Sequence, residues 1–152
     1  MKVFLSLALI VFSIVGLADS SYITYEELSG HIPVCGAGFD CGQVLNSPWA
    51  WIGPMPLSAL GMVYYATVLC LAIAYFLEWD WGQLVANRTG WLIPSERWLL
   101  LLTSTGFLFS LFLIGLMAWV IEAWCLFCLF SAASSTALFI VSIGLQRYAT
   151  RS

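Results

Sequence analysis

Polar residues are so sparse along this chain that its long apolar runs set the first reading. Four charge-free stretches stand out: Val3 to Ala18, Leu57 to Leu77, Trp98 to Ile121 and Trp124 to Leu145. A helix needs about 20 apolar residues to cross about 30 Å of hydrocarbon, and each run is near that length. Only Glu122 and Ala123 separate the third run from the fourth. One continuous helix over both would be about twice the bilayer thickness, so the chain is expected to turn back near Glu122. The pattern predicts an all-α membrane protein, a four-transmembrane-helix bundle forming a single domain over residues 1–152. A loop over residues 19–56 is expected to cap one face and a shorter loop over 78–97 the other. The Gly and Pro residues between Gly36 and Pro56 favour irregular structure in the first loop. The first run also fits a signal peptide, with Gly16-Leu17-Ala18 as a small-x-small cleavage site. A lone Lys2 is a thin basic start for one, and a retained helix completes the bundle.

Composition sharpens this picture. Hydrophobic residues make up 62% of the 152 and charged residues 9%, against roughly 25% charged in soluble domains. A large soluble catalytic domain is excluded, and five Lys+Arg leave no basic face for nucleic acid. With four spans, Lys2, Arg88, Arg97, Arg147 and Arg151 all fall on one side. Short basic loops stay in the cytoplasm, so that side is read as cytoplasmic, with both termini. Trp79, Trp81 and Trp91 in the cytoplasmic loop suit the headgroup region. Asp19, Glu26, Glu27, Asp40 and Glu122 then lie on the extracytoplasmic side.

The same topology sorts the five cysteines. Cys35 and Cys41 fall in the extracytoplasmic loop, and Cys125 and Cys128 at the outer end of the fourth span. Cys70 lies about 20 Å below the outer end of the second span at about 1.5 Å per residue, too deep to reach the others, and reads as a small buried hydrophobe. Cys125-Leu126-Phe127-Cys128 opens a helix, where unpaired amides and the helix dipole stabilise an anion. A thiolate at Cys125 is therefore expected to form readily, with Cys128 one turn deeper beside the apolar bundle. Taken singly, the loop pair suits a structural bridge and the other pair simple packing. Both pairs on one side of so small a protein favour a redox relay. A zinc site from all four cysteines is allowed by count, but paired thiols outside the cytoplasm tend to be oxidised. Two rival classes are a structural tetraspan protein with a passive Cys35–Cys41 bridge and a small transporter. The transporter would want ionisable groups within its spans.

These residues together resemble the bacterial branch of the vitamin K epoxide reductases. Cys35-x5-Cys41, Ser47 and Trp49, Gly53-Pro54-x-Pro56, Gly61 and Tyr65, and finally Cys125-x-x-Cys128 stand in the family's order over nearly the whole chain. The resemblance implies an inner-membrane thiol oxidoreductase that promotes disulfide formation outside the cytoplasm. Electrons would pass from a separate thioredoxin-fold partner to Cys35 and Cys41, then to Cys125 and Cys128, then to a membrane quinone, either ubiquinone or menaquinone. On that pattern Cys128 faces the quinone, Cys125 exchanges with the loop, Cys41 bridges to Cys125, and Cys35 is the outer shuttle. Ser47 would orient the loop, and Ser47, Trp49, Trp124 and Phe127 are candidates to bind the quinone. The vertebrate branch carries an Asn early in the second span and a Tyr one turn after the CxxC. Leu57 and Ala132 occupy those positions here, which points to quinone reduction rather than epoxide reduction. His31, Trp51 and Glu122 read more simply as a solvated loop residue, an interfacial anchor and a turn marker.

Overall fold

The computed structural model describes residues 1–78 and 94–151. Its helices are α1 (Lys2–Leu28), α2 (Cys41–Leu45), α3 (Leu57–Phe76), α4 (Ser95–Leu116) and α5 (Leu126–Ala149). A π turn over Met117–Ile121 prolongs α4. All but the short α2 are long and apolar enough to cross a membrane. Trp79, Trp81, Arg88 and Trp91 lie outside the described residues.

Local chemistry explains most boundaries. Pro56 and Pro94 stand immediately before α3 and α4, where extended backbone leads into a helix. Glu96 and Arg97, read above as loop, thus belong to the first turn of α4. The reversal near Glu122 is made by Glu122 itself, in the left-handed region at φ 54°, which stops a right-handed helix outright.

The first span needs correcting. Its charge-free window ends at Ala18, but α1 continues to Leu28, so the loop that follows begins about Ser29 and Asp19, Glu26 and Glu27 ride on a helix. Hydropathy limits how much of a helix suits lipid; it does not limit main-chain hydrogen bonding. Ser20 and Thr24 donate their hydroxyls one turn back to the carbonyls of Gly16 and Ser20 at 2.8 and 2.7 Å, which keeps polar side chains satisfied within the helix.

In the bundle, α1 packs against both α3 and α5, and α5 against α4, with a smaller contact between α3 and α4. The core between the long helices contains Leu9, Tyr65, Val68, Leu99 and Leu138. Tyr65 is the key piece. Its ring presses on α1 at Gly16, where a Cβ would stand 2.2 Å from the ring, and its hydroxyl donates to the Ser131 carbonyl on α5 at 2.6 Å. One residue thereby links three helices. Outer faces expose Val11, Val63, Leu108, Phe112 and Ile140, as a lipid-facing surface does. Cys70 belongs to that surface: it is exposed, not buried as expected, because its turn of α3 faces away from the bundle.

Candidate functional site

The segment between α1 and α3 folds by short-range bonds. Asp40 caps α2 by accepting the Gln43 amide at 2.9 Å, Ser47 Oγ donates to the Val44 carbonyl at 2.7 Å, and Trp51 Nε1 donates to the Leu45 carbonyl at 3.1 Å. A 3-10 turn at Pro48–Ala50 leads into a two-residue hairpin, Trp51–Ile52 (β1) with Met55–Pro56 (β2). Gly53 makes its turn at φ 63°, a conformation glycine adopts without steric cost. Cys35 and Cys41 form a disulfide with Cα atoms 6.0 Å apart, fastening the irregular strand before α2 to its first residue.

Two hydrogen bonds hold this cap on the α4–α5 turn. The Asp40 amide donates to the Trp124 carbonyl at 2.9 Å, and Gln43 Nε2 donates to the Ile121 carbonyl at 3.1 Å. They bring the neighbours of Cys41 against the neighbours of Cys125. Cys41 and Cys125 are 2% and 0% exposed and share one apolar cluster with Ile23, Val44, Met117 and Ala123. Cys35 keeps partial exposure. The buried member of the disulfide therefore shares its cluster with Cys125, and the other member is the one solvent can reach.

Cys125 and Cys128 are free thiols. Cys125 occupies the N-cap of α5, and its sulfur accepts the Cys128 amide at 3.3 Å. The Cys125 thiol is held below its ordinary range chiefly by a hydrogen bond from the Cys128 thiol, helped by backbone amides and opposed by burial and by Asp19. Thiolate character is thus concentrated on the sulfur that faces the cap.

Below the cap lies a mainly apolar cavity of about 430 Å³, within the range of small-molecule sites. Every long helix and the cap contribute to its wall, and Cys128 opens onto it. Of the expected binding residues, Ser47 and Trp49 line the cavity. Trp124 and Phe127 are not among the lining residues: Trp124 is exposed on the turn, and the Phe127 ring packs at 5.5 Å from Tyr22. Leu57 and Ala132 do line it. Glu27, Ser58, Tyr64 and Tyr65, to which the sequence reading gives no binding role, also line it. Ser58 Oγ donates to Glu27 Oε2 and accepts from Thr24 Oγ1 at 2.9 Å. A helical period carried past Ala18 would have turned Ser20, Ile23 and Glu27 to one face. Among the described residues no group of three or more His, Cys, Asp or Glu could hold a metal ion.

Comparison with known proteins agrees with this arrangement. The chain is 31% identical over 130 residues to the thiol-disulfide oxidoreductase LTO1 of Arabidopsis thaliana, covering 84% of this chain and 33% of that protein. It therefore spans about a third of the length of that relative. The model of the vitamin K epoxide reductase family matches residues 7–143, and with a four-helix membrane bundle, a capping disulfide and a CxxC at the head of the last helix, the chain belongs to that family.

Proposed function

We propose that the protein is a quinone-linked thiol oxidoreductase, oxidising a thioredoxin-fold dithiol protein outside the cytoplasm and passing the electrons to a membrane quinone, ubiquinone or menaquinone. The observation that carries this reading is the position of Cys128: one helical turn from Cys125, which packs in one cluster with Cys41, and also in the wall of an apolar cavity. The partner dithiol attacks the loop disulfide at the accessible Cys35, its two electrons reduce Cys35 and Cys41, and its own sulfurs leave as a disulfide. Cys41 then attacks oxidised Cys125–Cys128 at Cys125; Cys35 closes the loop disulfide again, and two thiols remain at the CxxC. These two thiols lose two electrons and two protons to the quinone and re-form their bond. Leu57 and Ala132 give the cavity apolar walls, which favours a plain quinone over an epoxide. Among the described residues the basic ones, Lys2, Arg97, Arg147 and Arg151, lie at the helix ends away from the cap, which supports an extracytoplasmic cap.

The test is a trap. In Cys128→Ser, Cys125 loses its resolving partner, and a disulfide between Cys41 and Cys125 accumulates under oxidising conditions while quinone reduction disappears. Non-reducing peptide mapping reads the bond. Recovery of only the Cys35–Cys41 bond, with Cys125 free, would return that bridge to the passive structural role and remove the relay.

A further inference from the structure

We propose that Glu27, with Ser58, returns a proton to the quinone oxygen nearest the mouth of the cavity. This inference rests on the quinone reading above. Two thiols and a quinone become a disulfide and a hydroquinone: the S–S bond forms, two S–H bonds break, two electrons enter the ring, and a proton must reach each oxygen. Cys125, whose proton is lost readily, lies in the cap cluster and outside the cavity lining, so its proton cannot pass directly to a bound quinone. Another group must supply it.

The lining offers few donors. Ser20, Ser47, Tyr65, Thr105 and Ser110 all commit their hydroxyl protons to main-chain carbonyls; the Tyr64 and Ser135 hydroxyls, also in the lining and without such a partner, are far weaker acids than a carboxyl group. Glu27 is the only carboxyl group among the lining residues described. It is half-buried, and it also lines a second, shallow pocket of about 120 Å³ on the outer face with His31, Asn46 and Trp51. His31 and Asn46 are exposed, so that pocket meets the solution. One carboxyl group therefore stands between the apolar cavity and water. Ser58, bonded to it from α3 and itself in the cavity wall, fixes its direction. Asp19, two turns away on α1, is absent from the lining. Cys128, in the cavity wall, gives its thiol proton to one quinone oxygen; Glu27 gives a proton to the other and takes one back from the outer pocket, and the proton that Cys125 has already released to solution balances that uptake, so two protons lost by the thiols match two gained by the quinone.

The experiment compares wild type, Glu27→Gln and Glu27→Asp in detergent with a soluble short-chain ubiquinone. Glu27→Gln is expected to lower kcat for quinone reduction about 100-fold, the scale of lost acid catalysis. KM for the quinone, its Kd by tryptophan quenching, and the rate of exchange between the loop pair and the CxxC without quinone should stay within about 2-fold of wild type, as a group acting in catalysis alone requires. Glu27→Asp should restore most of kcat. Normal kcat in Glu27→Gln overturns this proposal alone, as does a matching loss of quinone-free exchange, which marks a structural role. A wild type that exchanges thiols but reduces no quinone overturns the quinone reading and this proposal with it.

Discussion

The two buried clusters of this protein are equally dry and are held in different ways. The deep one, around Leu9, Tyr65, Val68, Leu99 and Leu138, is assembled from four long helices, each of which satisfies its own backbone. The cap cluster, around Ile23, Cys41, Val44, Met117 and Cys125, joins the end of α1 to a five-residue helix, a π turn and a reversal. Its cap is tethered to the α4–α5 turn by the Asp40 and Gln43 bonds, and a net hydrogen bond is worth about 1 kcal/mol. Thiol exchange needs sulfurs that meet and part, and the cysteines of the proposed relay sit under a cover held by few bonds, the kind of portion that opens locally. Tight burial alone does not distinguish a static core from a working one; the number and kind of bonds holding the cover does.

The sharpest way to break the comparison is at Cys125. Cys125→Ser should reduce turnover by several orders of magnitude, as removal of a reacting group does, while the unfolding midpoint in detergent moves little; an active mutant would detach the cap from the chemistry. The deep cluster should answer in the opposite way. Gly16→Ala drives a methyl into the Tyr65 ring and should cost about 1–3 kcal/mol, read as a lower denaturation midpoint with Cys125 and Cys128 chemistry still intact in the folded fraction. Asp40→Ala removes the α2 cap, worth about 1 kcal/mol. Alkylation of Cys41 in reduced protein should then quicken roughly 5-fold with little change in global unfolding. Equal changes in both would mean that cap and bundle open as one unit. Cys70→Ala, on the outer face of α3, should stay within about 0.5 kcal/mol and keep full turnover.

Much of this plan was legible because lipid imposes one-dimensional rules. Span length, the impossibility of a straight helix through Glu122, and a CxxC at a helix start all follow from local composition. The end of α1 did not, since charge at Asp19 marks where lipid suitability stops and says nothing of helix termination. Trp124 and Phe127 stand outside the cavity lining for a related reason: adjacency in sequence to Cys125 and Cys128 does not fix the direction of a side chain around a helix start. The contact of Tyr65 with Gly16, the tethers from Asp40 and Gln43, and the seat of Glu27 are meetings of distant segments with no local signature. Asp40 followed by Gln43 was a partial exception, a helix-capping pattern hidden by the brevity of α2.

Both tethers of the cap end on main-chain carbonyls, those of Trp124 and Ile121, and the donors are an amide nitrogen and a carboxamide. None of these four groups carries charge or titrates in the physiological range. The closure of the cap is thereby insulated from ionic strength and acidity, which screen or neutralise salt bridges. A cover over paired cysteines that is latched by dipoles keeps its docking through a change of salt or acidity that would loosen an ionic clasp.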